Sequence, residues 1–312
     1  MHRRTLLATA LAAPALGQDI PGRTIQLVMP FSTGTVIDIM ARAFAEPFRQ
    51  ALGGNHNVVV VAREGGGGTV GASVVAAARP DGATIGFGPS GMLTTQPFLV
   101  PSLPYRLDGF EPLCQTFENI FVLAVPRAAP FTTLPELIEA ARRAPETISF
   151  GHAGNGTVGH LIVRQLELMG HFRLTDVAYR TGGQMMTDAL AGSIGMVATT
   201  WATLRDGALR PIAVAADARD PAIPAPTLAE LGFPVTWRGF GGLWAPRGLP
   251  RPVAARIEAA CAEAVNSPQY RQVMEQAAQV VAYLPAEAFA ARLAAEQREA
   301  SSLLASLNLI PR

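Results

Sequence analysis

Short apolar runs alternate with segments of helical spacing along most of the chain. The apolar runs have the length of strands, and the segments between them have apolar positions three and four residues apart. The predicted strands are 24–30, 57–62, 84–88, 121–126, 147–151, 176–179, 194–199 and 211–215. The predicted helices are 38–52, 72–79, 134–143, 158–170 and 185–191. This alternation predicts an α/β fold with a mostly parallel sheet that helices cover on both faces.

The end of the chain follows another pattern. An extended aromatic segment at 237–246 precedes three helical segments, which are 252–266, 268–278 and 285–307. All these segments fit two α/β lobes, lobe one being 18–121 plus 240–312 and lobe two 122–239. The chain would cross between the lobes twice. A cleft between two lobes is a favoured ligand site, and hinge motion can close it.

Charge and composition exclude several classes of function. The chain has 312 residues and a formal net charge of +1, from 25 basic and 24 acidic residues, which argues against nucleic-acid binding. All of these basic residues are arginines, and the sequence contains no lysine. A Walker A lysine, a Schiff-base lysine and a Ser-Lys dyad are therefore excluded.

The first 17 residues have the pattern of a signal peptide. A basic start at His2 to Arg4 precedes an apolar run at 5–16, and small residues stand before a cleavage point near Gln18. The paired arginines allow either the Sec or the twin-arginine route. No later run is long and apolar enough to span a bilayer, so we expect a soluble mature protein outside the cytoplasm.

Two cysteines remain, Cys114 and Cys261. Neither has CxxC spacing, and no histidine stands beside them. We expect two buried free thiols, with a disulfide as the alternative that export permits.

Glycine-rich turns connect three predicted strands to the helices that follow. They are 30–38 (PFSTGTVID), 63–71 (REGGGGTVG) and 151–160 (GHAGNGTVGH). Helix amino ends have unpaired N–H groups and a partial positive charge, which attract carboxylates and phosphates. Turns of this kind from both lobes predict an anion-binding cleft. Hydroxyl and amide side chains in these and other loops can donate hydrogen bonds to a small polar solute, and they can equally cap helices. These residues are Ser32, Thr33, Ser90, Thr94, Thr95, Asn155, Thr157, Thr199 and Thr200.

Nucleotide binding and catalysis have weaker signals. Residues 154–159 match GxGxxG, but Asp176 stands at the start of the next predicted strand rather than at its end, where a ribose-binding acid belongs. Residues 88–92 (GPSGM) lack the last glycine of a nucleophile elbow. His152 and His160 have no flanking carboxylate cluster, which argues against a metal site. We expect His152 to be a polar loop residue and His160 to lie at the start of a helix. We predict no catalytic residue, no metal and no cofactor.

Motifs along the first half of the chain follow a known order. PFSTGTVIDIMAR at 30–42 is similar to PF-x-x-GG-x-x-D-x-x-AR, and AREGGGGTVG at 62–71 to N-R-P-G-A-G-G-N-I-G. RPDGATI at 79–85 is similar to A-P-D-G-Y-T-L, and the LPY and DGFEP of 103–112 to LPY before D-F-x-P.

The second half continues this order. GHAGNGTVGH at 151–160 is similar to G-x-A-G-x-G-x-x-x-H, and VAYRTG at 177–182 to V-P-Y-K-G-G. IPAPTLAE at 223–230 is similar to L-P-D-x-P-T-x-A-E, and FGGLWAPRGLP at 240–250 to W-x-G-L-x-A-P-x-G-T-P. The chain thus resembles the extracytoplasmic solute receptors of tripartite tricarboxylate transporters, the Bordetella uptake gene (Bug) family.

The resemblance implies a periplasmic-binding-protein fold of type II without catalysis. It implies a monomeric receptor that captures a small carboxylate, either a di- or tricarboxylate or an acidic amino acid, and delivers it to the membrane subunits of a transporter. A secreted sensor or partner-binding module of the same fold, or a secreted α/β enzyme, is the alternative. The candidate ligand-binding residues are Ser32, Thr33, Gly34, Thr35, Ser90, Gly91, Ala153, Gly154, Asn155, Gly156, Thr157, Tyr179, Gly182, Thr200 and Trp201. Tyr179 and Trp201 would be apolar walls, and the others hydrogen-bond donors.

The sequence departs from the family's pattern at positions that would lie near the pocket. Thr35 and Val36 stand where small residues are usual, Thr181 replaces a glycine, and Gly195 replaces a common aspartate. Because β-branched residues narrow a loop, the floor of the pocket could be reshaped. We expect the 63–71 turn to be mainly structural, with the ligand held by the loops at 30–35 and 151–157.

Overall fold

The computed structural model describes residues 20, 22–179, 181–204, 207–235 and 237–311. The predicted signal peptide, residues 1–17, lies outside the described residues. The strands are β1 (Thr24–Met29), β2 (Asn57–Ala62), β3 (Thr84–Pro89), β4 (Phe110–Asn119), β5 (Phe121–Pro126), β6 (Ser149–His152), β7 (Thr175–Ala178), β8 (Met196–Thr200), β9 (Leu209–Ala215), β10 (Gly239–Pro246) and β11 (Val280–Pro285). The helices are α1 (Val36–Ala51), α2 (Thr69–Ala76), α3 (Gly91–Thr94), α4 (Gln96–Leu99), α5 (Leu134–Arg143), α6 (Val158–Gly170), α7 (Gly182–Leu190), α8 (Trp201–Leu204), α9 (Arg251–Asn266), α10 (Pro268–Gln276) and α11 (Ala286–Ser306).

Local signals explain where several helices begin. The Thr35 hydroxyl accepts a hydrogen bond from the Asp38 amide at the start of α1, and the Thr133 hydroxyl accepts one from the Glu136 amide at the start of α5. Asp38 also puts a negative charge at the positive end of the α1 dipole. Pro47 lies inside α1 and is buried, so the predicted helix continues through it.

The strands form two sheets, one in each lobe. In the described part of the chain, the first sheet has the order β11-β4-β10-β3-β1-β2 and the second β7-β6-β8-β5-β9. Among the strands of the described residues, β1 pairs in parallel with β2 and β3, β6 pairs in parallel with β7 and β8, and the other strand pairs are antiparallel. The prediction of a mostly parallel sheet was therefore wrong, because the strands next to the lobe crossings run against the others.

The chain enters each lobe at the edge where the parallel strands end. Phe121, the first residue of β5, pairs with Thr200, the last residue of β8. Gly241, near the start of β10, pairs with Pro89, the last residue of β3. The crossing segments thus run beside the carboxyl ends of the parallel strands in both lobes, and each set of strand ends faces the other lobe.

Each sheet has apolar clusters on both faces, and the last helix contributes to both lobes. In the first lobe, α1, α9 and α10 cover one face, and α2 packs with Val28 and Trp244 on the other. Phe289 of α11 packs on Phe240 in the first lobe, whereas Leu304 lies in the main core of the second. Residues 286–306 therefore form a packed connection between the lobes, besides the two crossings.

Three features were missed or misjudged in the sequence. The strands β4 and β11 were not predicted. Cys114 of β4 and Cys261 of α9 form a disulfide with a Cα–Cα distance of 6.8 Å, so the expectation of two free thiols was wrong. The pairing depends on β4 lying under α9, which the spacing of the cysteines does not indicate. Among the described helices, none combines the length and the apolar character needed to cross a membrane.

Candidate functional site

The loops that follow the parallel strands of the first lobe pack against one another. Because β1, β2 and β3 are parallel, their following loops leave from one edge of the sheet. A Cβ on Gly71 would lie 2.7 Å from the Pro30 side chain, and one on Gly88 would lie 3.1 Å from it, so both glycines allow a close approach. The carboxyl edge of parallel strands is the usual ligand site of open α/β sheets.

The second lobe has the same arrangement. The strands β6, β7 and β8 are parallel, and their carboxyl ends lead into residues 153–157, 179–182 and 200–201. The predicted ligand residues of this lobe therefore share one edge of the sheet. The Trp201 amide donates to the Ile120 carbonyl at 2.9 Å, which ties this edge to the lobe crossing.

Contacts between the lobes bring residues 153–157 to the first lobe. The Gln96 Nε2 of α4 donates to the Asn155 carbonyl oxygen at 3.2 Å. A Cβ on Gly156 would overlap the Leu99 side chain and would lie 3.1 Å from the Thr95 methyl group. The glycine at 156 thus permits the second-lobe loop to lie directly on α4.

Most hydrogen-bond donors of the 32–35 loop are used inside the first lobe. The Gly34 amide donates to Asp38 Oδ2 at 2.9 Å, and the Thr35 hydroxyl donates to the Ser32 carbonyl at 2.8 Å. The Ser32 hydroxyl donates to the carboxylate of Glu64, in the neighbouring glycine loop. The Thr33 side chain is exposed and makes no hydrogen bond within the described residues.

The helix α6 begins without a side-chain cap. Thr157 is its N-cap residue, but the hydroxyl donates to the Gly154 carbonyl at 2.7 Å instead of accepting from the helix. The amides of the first turn of this helix therefore keep unsatisfied hydrogen-bonding capacity and a partial positive charge. Asn155 is exposed next to them. The amino end of α6 can accept an anion.

A buried network holds this loop in position. The Gly154 amide donates to His152 Nδ1 and the Gly156 amide donates to His160 Nδ1, both at 3.1 Å. The Nε2 atoms of His152 and His160 lie 2.5 and 3.1 Å from the two carboxylate oxygens of Asp176. The Gly154 and Gly156 amides are thus engaged by histidines.

Arg164 completes the charge balance of the network. Its Nη2 lies 2.5 Å from Asp176 Oδ2, and its Nη1 lies 2.6 Å from Glu167. Burial disfavours the charged form of Asp176, but hydrogen bonds from His152 and His160 outweigh burial and hold the pKa of the carboxyl well below its usual range. Burial lowers the pKa of His160, which favours its neutral form.

His152, His160 and Asp176 have the composition and spacing of a metal site, with one candidate ligand atom from each within 4.8 Å of the others. Arg164 already contacts Asp176 and adds a positive charge, which opposes a cation there. The prediction of a loop position for His152 was wrong, and the sequence did not indicate that the Asp176 carboxylate contacts both histidines. His152 is the buried last residue of β6, and Asp176 reaches it from the parallel neighbour β7.

Ser90 is only 2% exposed, although it was predicted to contact the ligand. Near it, Thr94 Oγ1 donates to Glu296 Oε2 of α11 at 2.7 Å. Burial raises the pKa of Glu296 to about 7, although the hydrogen bond from the Thr94 hydroxyl opposes the shift. Gly91 begins α3 and has open space where a Cβ would be. No sequence pattern pointed to Glu296.

The remaining candidates lie along the second-lobe edge. Tyr179 donates from its hydroxyl to Asp188 at 2.8 Å, and burial with the Asp188 charge raises its pKa to about 12. Trp201 is half-buried against the same apolar cluster as Tyr179. Thr200 contacts the Thr203 hydroxyl at 3.1 Å, and Gly182 begins α7 in open space.

The departures from the family's pattern have local roles. Thr35 caps α1, and Val36 is its first residue. Thr181 caps α7 by accepting from the Gln184 amide at 3.4 Å. A Cβ on Gly195 would lie 2.8 Å from the Ile148 side chain, so a larger residue would need more room there.

Two cavities lie outside these loops. One of about 350 Å³ is lined by Gln165, Trp237, Arg298, Glu299, Ser302 and Leu303. The other, of about 240 Å³, is lined by Pro97, Phe98, Arg106, Leu107, Asp108 and Gln297. Both adjoin α11, and neither includes a predicted ligand-binding residue.

Comparison with known proteins identifies the family. A family model described as "Tripartite tricarboxylate transporter family receptor" matches residues 40–309. The chain belongs to this receptor family. It is 29% identical over 270 residues to BugT of Bordetella pertussis, covering 84% of the chain and 82% of BugT. The family resemblance inferred from the sequence motifs is thereby confirmed.

Solved structures have the same fold. R. palustris Rpa4515 with adipate matches with a TM-score of 0.84 and 25% identity, covering 94% of this chain and 100% of the other. MatC from Rhodopseudomonas palustris with bound malate matches with a TM-score of 0.79 and 27% identity, covering 91% and 99%. The predicted periplasmic-binding-protein fold with two α/β lobes is confirmed.

Proposed function

We propose that this receptor captures a small carboxylate between its two lobes and delivers it to the membrane subunits of a tripartite transporter. Two relatives with the same fold carry the dicarboxylates adipate and malate. We further propose export through residues 1–17, a periplasmic location, a monomeric state, no cofactor and no catalytic activity. The proposed lobes are 18–121 plus 240–312 and 122–239.

One observation carries the proposal for this chain. The amino end of α6 has no side-chain cap, and its loop lies on α4 of the first lobe through the Gln96–Asn155 hydrogen bond. A carboxylate at this point would accept main-chain hydrogen bonds and meet the positive end of the helix dipole. The histidines below the loop fix its position before the ligand arrives, which lowers the entropic cost of binding.

The proposed ligand-binding residues come from both lobes. Ala153 to Thr157 would supply donors to the carboxylate, although the amides of Gly154 and Gly156 are used by the histidines. Ser32 to Thr35 and Gly91 would face them from the first lobe, with Tyr179, Gly182, Thr200 and Trp201 along the second-lobe edge. Ser90 would also contribute from the first lobe, through a hydroxyl that is buried and has no hydrogen-bond partner within the described residues.

Isothermal titration with mono-, di- and tricarboxylates tests the proposal. We expect at least one acid to bind with a dissociation constant near 1 μM, which is about −8 kcal/mol. The variant Asn155→Asp adds a negative charge beside the α6 amino end, and we expect affinity for that acid to fall by about tenfold or more. Asn55→Asp is the matched control, because Asn55 precedes β2 and thus lies at the opposite sheet edge. Absence of binding by any acid, or equal losses in the two variants, would contradict the proposal.

A further inference from the structure

The first-lobe side of the proposed cleft carries an acidic side chain that the sequence motifs did not indicate. Glu64 follows β2 and is exposed, and its carboxylate accepts the hydrogen bond of the Ser32 hydroxyl. Ser32 belongs to the loop after β1, so Glu64 joins the two neighbouring loops at the carboxyl edge of the sheet. The family's pattern quoted above has proline at this position.

Glu64 makes no ion pair with its charged neighbours within the described residues. Asp38 stands near the same loop, but Arg42 lies 2.9 Å from its Oδ1 and neutralises it. Within the described part of the chain, no arginine or histidine forms an ion pair with Glu64. The adjacent Arg63 turns back to donate to the Ala62 carbonyl at 3.1 Å. Glu64 therefore presents a carboxylate without an ion-pair partner within the described residues at this edge of the first lobe.

The two sides of the proposed cleft thus differ in character. The second lobe offers the donors and the positive dipole end of α6, whereas the first lobe offers the acceptor oxygens of Glu64. A dicarboxylate that places one end at α6 would bring its other carboxylate towards a like charge. Closure of the lobes removes water and strengthens this repulsion.

We propose that Glu64 selects a ligand with one carboxylate and a hydrogen-bond-donating group, foremost an ammonium group, at its other end. The ligand class would be small amino acids whose ammonium group is separated from the carboxylate along the chain. This inference rests on the receptor function proposed above and narrows its ligand class. Dicarboxylates of equal length would bind more weakly.

Pairs of ligands with equal chain length test this specificity. The pairs are succinate with 4-aminobutyrate, and adipate with 6-aminohexanoate, titrated by calorimetry into the wild type and Glu64→Gln. We expect the wild type to prefer the amino acid of each pair, and Glu64→Gln to shift the ratio of affinities towards the dicarboxylate by about tenfold. The shift should shrink in 0.5 M salt, because salt screens exposed charges.

Glu263→Gln is the matched control, since Glu263 is an exposed carboxylate on α9 and not in a strand-end loop. We expect Glu263→Gln to have the same ratio of amino-acid affinity to dicarboxylate affinity as the wild type. If carboxylates bind but the ratio is the same in all three proteins, the role of Glu64 is wrong and the receptor function stands. If neither these ligands nor the wider acid panel binds to any of the proteins, the receptor function fails, and the role of Glu64 fails with it.

Discussion

Gln96 of the first lobe donates through Nε2 to the main-chain oxygen of Asn155 in the second lobe at 3.2 Å. The same nitrogen would lie 3.5 Å from a Cβ on Gly67, in the glycine loop after β2. Gln96 is only 8% exposed. One buried amide therefore stands between the glycine loops of the two lobes.

We predict that Gln96→Ala weakens ligand binding. The variant removes one neutral hydrogen bond between the lobes, which is worth about 0.5–1.5 kcal/mol. Affinity for the best carboxylate should fall by about 3- to 10-fold, as measured by calorimetry. Gln269→Ala, at an exposed position of α10, should leave affinity unchanged. Equal affinity in Gln96→Ala and the wild type would mean that the contact does not contribute to binding.

We predict that Gly156→Ala lowers both stability and ligand affinity, although it adds only one methyl group. Gly156 has φ +74°, and an added Cβ would overlap Leu99 of α4. The variant should lose about 1–3 kcal/mol of stability and most of its ligand affinity, because the loop must move away from the first lobe. Chemical denaturation and calorimetry measure the two effects.

Gly183→Ala is the control for this variant. Gly183 lies in α7 with nothing within 4 Å of the position that an added Cβ would take, and its φ is not in the left-handed region. Alanine should keep or raise stability there, by up to about 1 kcal/mol. Similar effects of the two substitutions would show that the Gly156–Leu99 contact is unimportant.

The sequence predicted the elements whose signals are local. The strands β1, β2, β3 and β5 are short apolar runs bounded by turns, and α5 and α6 have the predicted bounds. The strand β4 was missed because Pro112 and polar residues such as Gln115 interrupt its apolar pattern. Its pairing with β10 comes from a segment more than 100 residues away, which periodicity does not reveal.

The sequence predicted the loops of the candidate site but not the side-chain contacts between them. Glycine and hydroxyl residues after parallel strands indicated the loops, since parallel strands bring their carboxyl ends to one edge. The contacts of Glu64 with Ser32 and of Asp176 with His152 each join different strand ends. Such contacts depend on side-chain directions after folding, and no spacing in one sequence encodes them.

We predict that Asp176→Asn destabilises the protein and loosens the loop at 153–157. The variant removes the negative charge that faces Arg164 and both histidines. Because the Asp176 side chain is 25% exposed, we expect a loss of about 2 kcal/mol in the free energy of unfolding. Ligand affinity should fall as well, since His152 would hold the Gly154 amide less firmly.

Asp217→Asn is the control for charge removal, because this carboxylate is 92% exposed and pairs with Arg238. Asp217→Asn should lower the free energy of unfolding by less than about 1 kcal/mol. The low pKa of Asp176 means that its contribution is present at neutral pH and is lost as pH falls into the acid range. A rise in melting temperature with Zn²⁺ that Asp176→Asn abolishes would instead indicate a metal site.

The last prediction concerns Glu296, which lies on α11 between the part of the helix that packs on the first lobe and the part that packs on the second. Burial raises its pKa from 4.5 to about 7, so the folded state retains this proton at a pH where the unfolded state has released it. The stabilisation is complete below pH 4.5 and is lost as pH rises through 7. The shift corresponds to about 3 kcal/mol at most.

We therefore expect Glu296→Gln to remove this pH dependence. A glutamine keeps the shape and can still accept the Thr94 hydrogen bond, but it cannot ionise. Between about pH 5 and pH 8, the wild type should lose up to about 3 kcal/mol more stability than the variant, as measured by urea denaturation at each pH. Glu287→Gln, an exposed position on the same helix, should keep the slope of the wild type. If the stability of the wild type and that of Glu296→Gln change with pH in the same way, Glu296 is already ionised in the folded protein near pH 5, and the prediction is wrong.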